Sequence, residues 1–304
     1  MARRPERKVI LTAAVSGNAH TKEMSPAVPY GVEEISDAAL CAIEAGASMV
    51  HIHARKDDGT PTSNVQIFGD ILSRTKERAK GDPILGITTG SAVSEIDGGD
   101  AGVEERLAPV HALKPEIASF NSGSINWATS GDPSSYGEIF SNNFSDIFTC
   151  IDAMNEEGTL PEFEIFDLGM LNNILYLKKQ GKLERPPYFQ FVPGPLGCIP
   201  LNQENTTFFI ESVRRMFGPE TLFSMVSMGR RNFRYGTFSA LWGGNVRIGL
   251  EDSLYLSADG TLAKDNGDLI RKMKRILEEL DYQIATPEET REMLQLKGSA
   301  KVNF

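Results

Sequence analysis

Eight short, nearly all-apolar runs recur along this chain, each followed by a longer stretch whose apolar residues return at helical spacing. No other feature limits the fold as much. The runs cover residues 9–14, 49–53, 84–88, 117–121, 163–166, 188–192, 222–226 and 245–248. Helical patterns lie at 32–45, 65–80, 103–113, 144–155, 168–180, 203–217 and 232–242, with two more at 265–280 and 287–295. Strands that are apolar on both faces belong to parallel sheets covered by helices. Eight strand-then-helix cycles in 304 residues match a closed (β/α)8 TIM barrel better than an open doubly wound sheet. No Pro/Gly/Ser-rich linker divides the cycles. The expectation is therefore a single-domain α/β barrel over residues 1–304, with an additional C-terminal helix at 287–295. Pro83, Pro115 and Pro161 each stand just before an expected strand, where proline ends the preceding helix without removing a ladder donor.

Composition narrows the partners. Acidic residues outnumber Lys+Arg by 41 to 31, a net charge of -10, and the only basic block is the short opening from Arg3 to Lys8. Such a surface repels a phosphate backbone, so nucleic acid is excluded as a partner. No window reaches the roughly 18 apolar residues of a membrane span. The apolar run after the basic opening imitates a signal peptide but reads equally as a buried first strand, and the strand is preferred. Cys41, Cys150 and Cys198 are odd in number and widely spaced, which argues against a disulfide framework and for a reducing, cytoplasmic setting.

In a barrel, chemistry collects at the C-terminal ends of the strands. Here those ends are polar. The first run leads into Ser16, Gly17, Asn18, Ala19 and His20, and the second ends His51-Ile52-His53-Ala54-Arg55. The third ends Thr88-Thr89-Gly90-Ser91, the fourth Ser119-Phe120-Asn121, and the fifth carries Glu164 and Asp167. The eighth runs Arg247-Ile248-Gly249-Leu250-Glu251-Asp252. In a strand, His51 and His53 share one face and can converge on one cation. Taken alone, the pair also suits two half-buried polar residues capping the barrel. There are only four histidines, and His111 falls in an expected helix, so a site with two His and one carboxylate fits better than a four-His site. Glu251 and Asp252 supply candidates: neighbours in one loop point apart, so one can bind metal while the other acts as base. Arg247, four residues before Glu251, is placed to aim the aspartate. A solvated acidic turn remains the plainer reading of that spacing.

No Gly-rich piece has dinucleotide or P-loop spacing. The 191–197 segment, Phe-Val-Pro-Gly-Pro-Leu-Gly, is a backbone-rich loop against which a phosphate or adenine tail could pack, although turn geometry explains it as well. Gly229-Arg230-Arg231-Asn232 puts cations where the seventh strand meets its helix, which suits a bound polyanion or a solvated loop.

Motifs in order over nearly the whole chain resemble the β-keto acid cleavage enzymes, typified by 3-keto-5-aminohexanoate cleavage enzyme. They lie at 11–17, 44–47, 51–55, 58–61, 87–90, 106–109, 113–116, 190–192, 249–252 and 285–288. The resemblance implies a barrel binding one Zn2+ through His51, His53 and Glu251, and an Arg247–Asp252 catalytic pair. It further implies hydroxyl donors at Thr88 and Ser119, where the typical member has Ser and Thr, substrate contacts at Asn121 and Glu164, and a homotetramer. One position departs: the glutamate expected to meet a substrate amino group is Ala19 here, with His20 beside it. A cationic substrate would lose its partner, so the expected keto acid has a neutral or anionic side chain.

The expected reaction joins a 3-keto acid to acetyl-CoA, giving acetoacetate and a new acyl-CoA. Both substrates are anions on an acidic protein, so Zn2+, Arg247, Arg230 and Arg231 would supply a local field opposing the global one. The alternatives are a metal-dependent aldolase that needs no CoA, and a non-catalytic metal- or metabolite-binding barrel.

Overall fold

The computed structural model describes residues 8–90, 92–96, 98–128, 133 and 136–304. The basic opening at 3–7, and Ser91 at the end of the third apolar run, lie outside them. Eight parallel strands close a barrel in sequence order: β1 (Leu11–Ala14), β2 (Met49–Ile52), β3 (Ile84–Ile87), β4 (Ile117–Asn121), β5 (Leu160–Ile165), β6 (Tyr188–Phe191), β7 (Phe223–Met225) and β8 (Asn245–Ile248). The helices that cover it are α1 (Gly31–Glu44), α2 (Val65–Arg78), α3 (Val103–Leu113), α4 (Phe144–Glu156), α5 (Gly169–Lys179), α6 (Gln203–Phe217), α7 (Asn232–Leu241) and α8 (Asn266–Glu279). The additional C-terminal helix is α9 (Pro287–Leu294), opened by proline and a Thr286/Glu289 capping box. Among the described residues, no helix is long and apolar enough to cross a membrane.

Strand alternation sorts the side chains into two cores. Outward residues such as Leu11, Ile52, Phe120 and Phe189 pack under the helices in one large cluster. Inward residues Ile10, Met49, Ile84, Ile117, Leu160 and Tyr188 form a second cluster at the N-terminal end of the lumen, closed off by Ala285 and Leu294. Two positions further along the strands, the inward residues are Thr12, His51, Gly86, Ser119, Glu162 and Gln190, a buried and mostly polar set.

Two strand expectations need correction. The first run is interrupted at Ile10: Lys8–Val9 pairs instead with Gln283–Ile284 outside the barrel, and only Leu11–Ala14 is a barrel strand. Pro161 is not a helix stop before a strand but lies inside β5, level with Ala118. It is tolerated because parallel strands alternate the side to which N–H groups point. Leu160 donates to Glu116 on the β4 side, which leaves Pro161 facing the β6 side, and there pairing begins only at Glu162–Tyr188. A two-stranded hairpin after β4, Ile125–Asn126 with Ile139–Phe140, is absent from the sequence expectations.

Candidate active site

The end of β2 and the loop after β8 meet at three side chains. His51 and His53 project from one face of β2 with ring centroids 5.1 Å apart. Glu251 reaches across, with Oε2 3.6 Å from His51 Nε2 and Oε1 3.2 Å from His53 Nε2. The approach requires glycine at position 17, whose φ is +64°; a Cβ there would come within 2.5 Å of Glu251 Cγ. The ligand-type atoms of His51, His53 and Glu251 all lie within 4.8 Å of one another, a spacing that could hold a metal ion. His51 Nε2 and Glu251 Oε2 are buried without a hydrogen-bond partner, an expensive state unless a ligand satisfies them. Both groups also hold the protonation state a metal needs. Burial keeps the His51 imidazole neutral, far below its usual range. Burial alone would raise Glu251, but Arg247 above all holds it well below the usual carboxylate range.

Arg247, on β8 and almost fully buried, organises the carboxylates around these side chains. Its Nε and Nη2 donate to the two Asp252 oxygens at 3.1 and 3.0 Å, its Nη1 donates to Glu164 Oε1 at 3.2 Å, and Nη2 also contacts Glu251. The Asp252 fork fixes that carboxylate in one plane. Burial lifts the Asp252 carboxyl to about 7 even though Arg247 pulls it down, and burial likewise raises Glu164 against the pull of Arg247. One guanidinium facing three carboxylates leaves a deficit of positive charge, which a divalent cation between His51, His53 and Glu251 would correct.

The structure also pairs Thr88 with Ser119 at the ends of β3 and β4, Ser119 Oγ lying 3.4 Å from Thr88 Oγ1. Asn121 ends β4, half-buried, and its carbonyl accepts from Asn142. Ala19 is exposed, while the His20 ring is tethered through Nδ1 to the Leu250 carbonyl at 2.7 Å. Arg230 stands apart from this set: it is exposed and lies 4.8 Å over the Tyr255 ring, although the Gly229 N–H beside it donates to the Asp252 carbonyl at 2.9 Å.

Two positioning residues were missed in the sequence. Asn18 Oδ1 lies 2.9 Å from His53 Nδ1, which puts the proton on Nδ1 and leaves Nε2 free to ligate. Arg55 is buried beside the Tyr30 ring and donates to the His20 carbonyl at 2.8 Å, tying the loop after β1 to the segment after β2. Its signal was its place two residues beyond His53 in a strand-like alternation; Asn18 offered only a polar residue near a strand end.

A model of the beta-keto acid cleavage enzyme family matches residues 8–296. The 3-keto-5-aminohexanoate cleavage enzyme of Acetoanaerobium sticklandii is 40% identical over 287 residues, covering 94% of this chain and 98% of its own. The 3,5-dioxohexanoate:acetyl-CoA acetone transferase of Paraburkholderia graminis is 37% identical over 317 residues, covering 98% and 99%. In three dimensions the chain is similar to ObcA, seen in a ternary complex with a C4-CoA adduct and oxalate, with a TM-score of 0.73 at 20% identity over 90% of this chain and 68% of that one. That likeness is one of fold. The family match over almost the whole length, together with relatives at these identities, settles membership: the chain belongs to the beta-keto acid cleavage enzyme family.

Proposed function

We propose that the protein is a Zn2+-dependent transferase that converts a 3-keto acid and acetyl-CoA into acetoacetate and a new acyl-CoA. The observation that carries this reading is the His51–His53–Glu251 triangle with Asp252, forked on Arg247, directly beside it. Two imidazoles and one carboxylate form the donor set of a catalytic zinc site that keeps positions open for substrate. When bound, the ion supplies Lewis acidity to the keto and carboxylate oxygens of the substrate and so favours enolate formation.

The chain's own groups do the rest. Asp252, aimed by Arg247, takes a proton from C2; a carboxyl lifted to about 7 is matched to that task near neutral pH. The C2 carbanion attacks the acetyl carbonyl and CoA thiolate departs. The thiolate then adds to the original ketone carbon, the C2–C3 bond breaks, and the proton held by Asp252 returns to C2 of acetoacetate. Thr88 and Ser119 donate hydrogen bonds to oxygens that gain charge on the way, a role worth a few kcal/mol per donor in other enzymes. Asn121 and Glu164 border the bound keto acid.

Relatives at nearly equal identity are named for an aminated and an unaminated keto acid, so identity does not select the substrate. The local chemistry favours an unaminated one, because Ala19 offers no carboxylate to an ammonium group and His20 is engaged with Leu250. Assembly as a homotetramer and a cytoplasmic location belong to the same reading. Zinc-loaded protein and acetyl-CoA, incubated with a panel of neutral, anionic and aminated 3-keto acids and assayed for acetoacetate, test it. Faster turnover of 3-keto-5-aminohexanoate than of unaminated acids would remove the substrate assignment, and turnover without acetyl-CoA would point to an aldolase. Sedimentation of the purified protein checks the tetramer.

A further inference from the structure

A cavity of about 470 Å³ lies outside the metal and proton-transfer groups. It opens beyond the C-terminal ends of β4 and β5. Gly123 lies two residues past Asn121 and Phe166 two past Glu164, so its floor continues directly from the catalytic end of the barrel. The Ser122 N–H donates to the Glu164 carbonyl at 3.1 Å, and Asn173 Nδ2 of α5 donates to the Ser122 carbonyl at 2.8 Å, so floor and wall are hydrogen-bonded together. The outer wall is the Ile125–Asn126/Ile139–Phe140 hairpin, pinned to the 191–197 loop by an Ala128–Leu196 bridge. At Gly197, φ +94°, a Cβ would come within 1.9 Å of the Asn126 carbonyl, so hairpin and loop meet backbone to backbone.

The lining states what the cavity accepts. Ser124, Asn126 and Asn173 offer neutral hydrogen-bonding groups, and Ile139, Phe166 and Met170 offer apolar surface. Among the described residues of the lining, Asp167 is the only acid or base. Phosphates and a second substrate carboxylate are therefore unwelcome, while a slender neutral chain carrying amides matches both kinds of surface. A short 3-keto acid alone would leave most of such a volume unfilled.

We propose that this cavity binds the pantetheine arm of acyl-CoA and delivers the thioester to the metal site past Asn121 and Glu164, with the nucleotide phosphates held outside it. The assignment rests on the transferase reading above. Ile139→Trp and Asn126→Trp test it, since both positions are exposed and their bulkier side chains obstruct the cavity without entering the core. The expected result is a KM for acetyl-CoA raised about tenfold, with the keto acid KM, metal content and melting temperature unchanged. Pantetheine, which has no nucleotide phosphates, should compete with acetyl-CoA in the wild type and lose that competition in the variants. A rise in the keto acid KM instead, or no change in either, overturns the proposal. If the wild type shows no acetyl-CoA-dependent turnover, the transferase reading has failed. Calorimetric titration with CoA then decides the cavity separately: binding weakened by Ile139→Trp upholds it, and equal or absent binding removes it.

Discussion

The two ends of the barrel lumen are built from the same strands, two to four residues apart, and they obey opposite rules. At the N-terminal end, Ile10, Met49, Ile84, Ile117 and Leu160 form a dry plug under Leu294 of α9. Glu116, a buried acid there, is answered by the Arg291 fork and by the Gly298 N–H. At the C-terminal end, Arg247 faces three carboxylates, and His51 Nε2 and Glu251 Oε2 have no hydrogen-bond partner. At one end the buried charge is answered, and the other is held in a state that a ligand completes. The difference separates stability from chemistry along each strand, and it can be attacked from both sides.

The largest effect belongs to the reactive end. Asp252→Asn keeps the size of the side chain beside Arg247 but removes the proposed base, and kcat should fall by about 10³ or more, within the range for a lost general base and its partner. Metal content by atomic absorption and melting temperature should be unchanged. A variant retaining a tenth of wild-type turnover would remove Asp252 from the proton-transfer role. Glu251→Gln should instead lose the metal itself.

Next comes the dry end. Leu160→Ala leaves a cavity in the plug and should lower unfolding free energy by about 3 kcal/mol, while kcat/KM of the protein that remains folded stays within twofold. Denaturant titration together with activity assays checks both halves. A large fall in kcat/KM would show that the two ends are coupled rather than separate.

Between the ends sits Glu162, buried and hydrogen-bonded by Gln190 Nε2 at 3.3 Å, with burial lifting its carboxyl to about 8. Its proton is held more tightly in the folded chain than in the unfolded one. Its favourable contribution is therefore complete below the usual carboxyl value of 4.5 and is lost as pH rises through about 8. Glu162→Gln should flatten that slope: between pH 6 and pH 8 the wild type should lose about 2 kcal/mol more than the variant. Parallel pH profiles would place the carboxyl elsewhere in pH.

These contrasts also explain what could be read from the sequence. Eight cycles are visible because parallel strands packed under helices leave continuous apolar runs, and His51-x-His53 is visible because strand alternation puts both on one face. The start of β5 was misplaced for the reason that makes it interesting. Leu-Pro-Glu-Phe-Glu-Ile at 160–165 alternates like a half-solvated strand, whereas its Glu162 and Glu164 point into a polar lumen. The hairpin strands are two residues each, too short to carry a period. Asn18 and Arg55 act through contacts with residues 35 positions away, to His53 and the His20 carbonyl respectively, and no local pattern encodes them.

Asn18 gives the smallest and most specific test. Its amide oxygen meets His53 Nδ1, so it neither ligates nor takes protons but fixes which ring nitrogen carries the hydrogen. Without it the imidazole regains rotational freedom and its second tautomer, and the ligand must be ordered at the moment of metal binding. Asn18→Ala should therefore weaken metal affinity about tenfold, the lower end of the range for such partners, measured by competition with a chromophoric chelator. At saturating metal, kcat should return to within a fewfold of wild type. Asn18→Asp keeps an acceptor at that position and should restore affinity, a rescue that general loosening of the loop after β1 would not produce. Unchanged affinity in Asn18→Ala would mean that His51 and Glu251 alone set the site, and that the reactive end is as rigidly prebuilt as the plug beneath it.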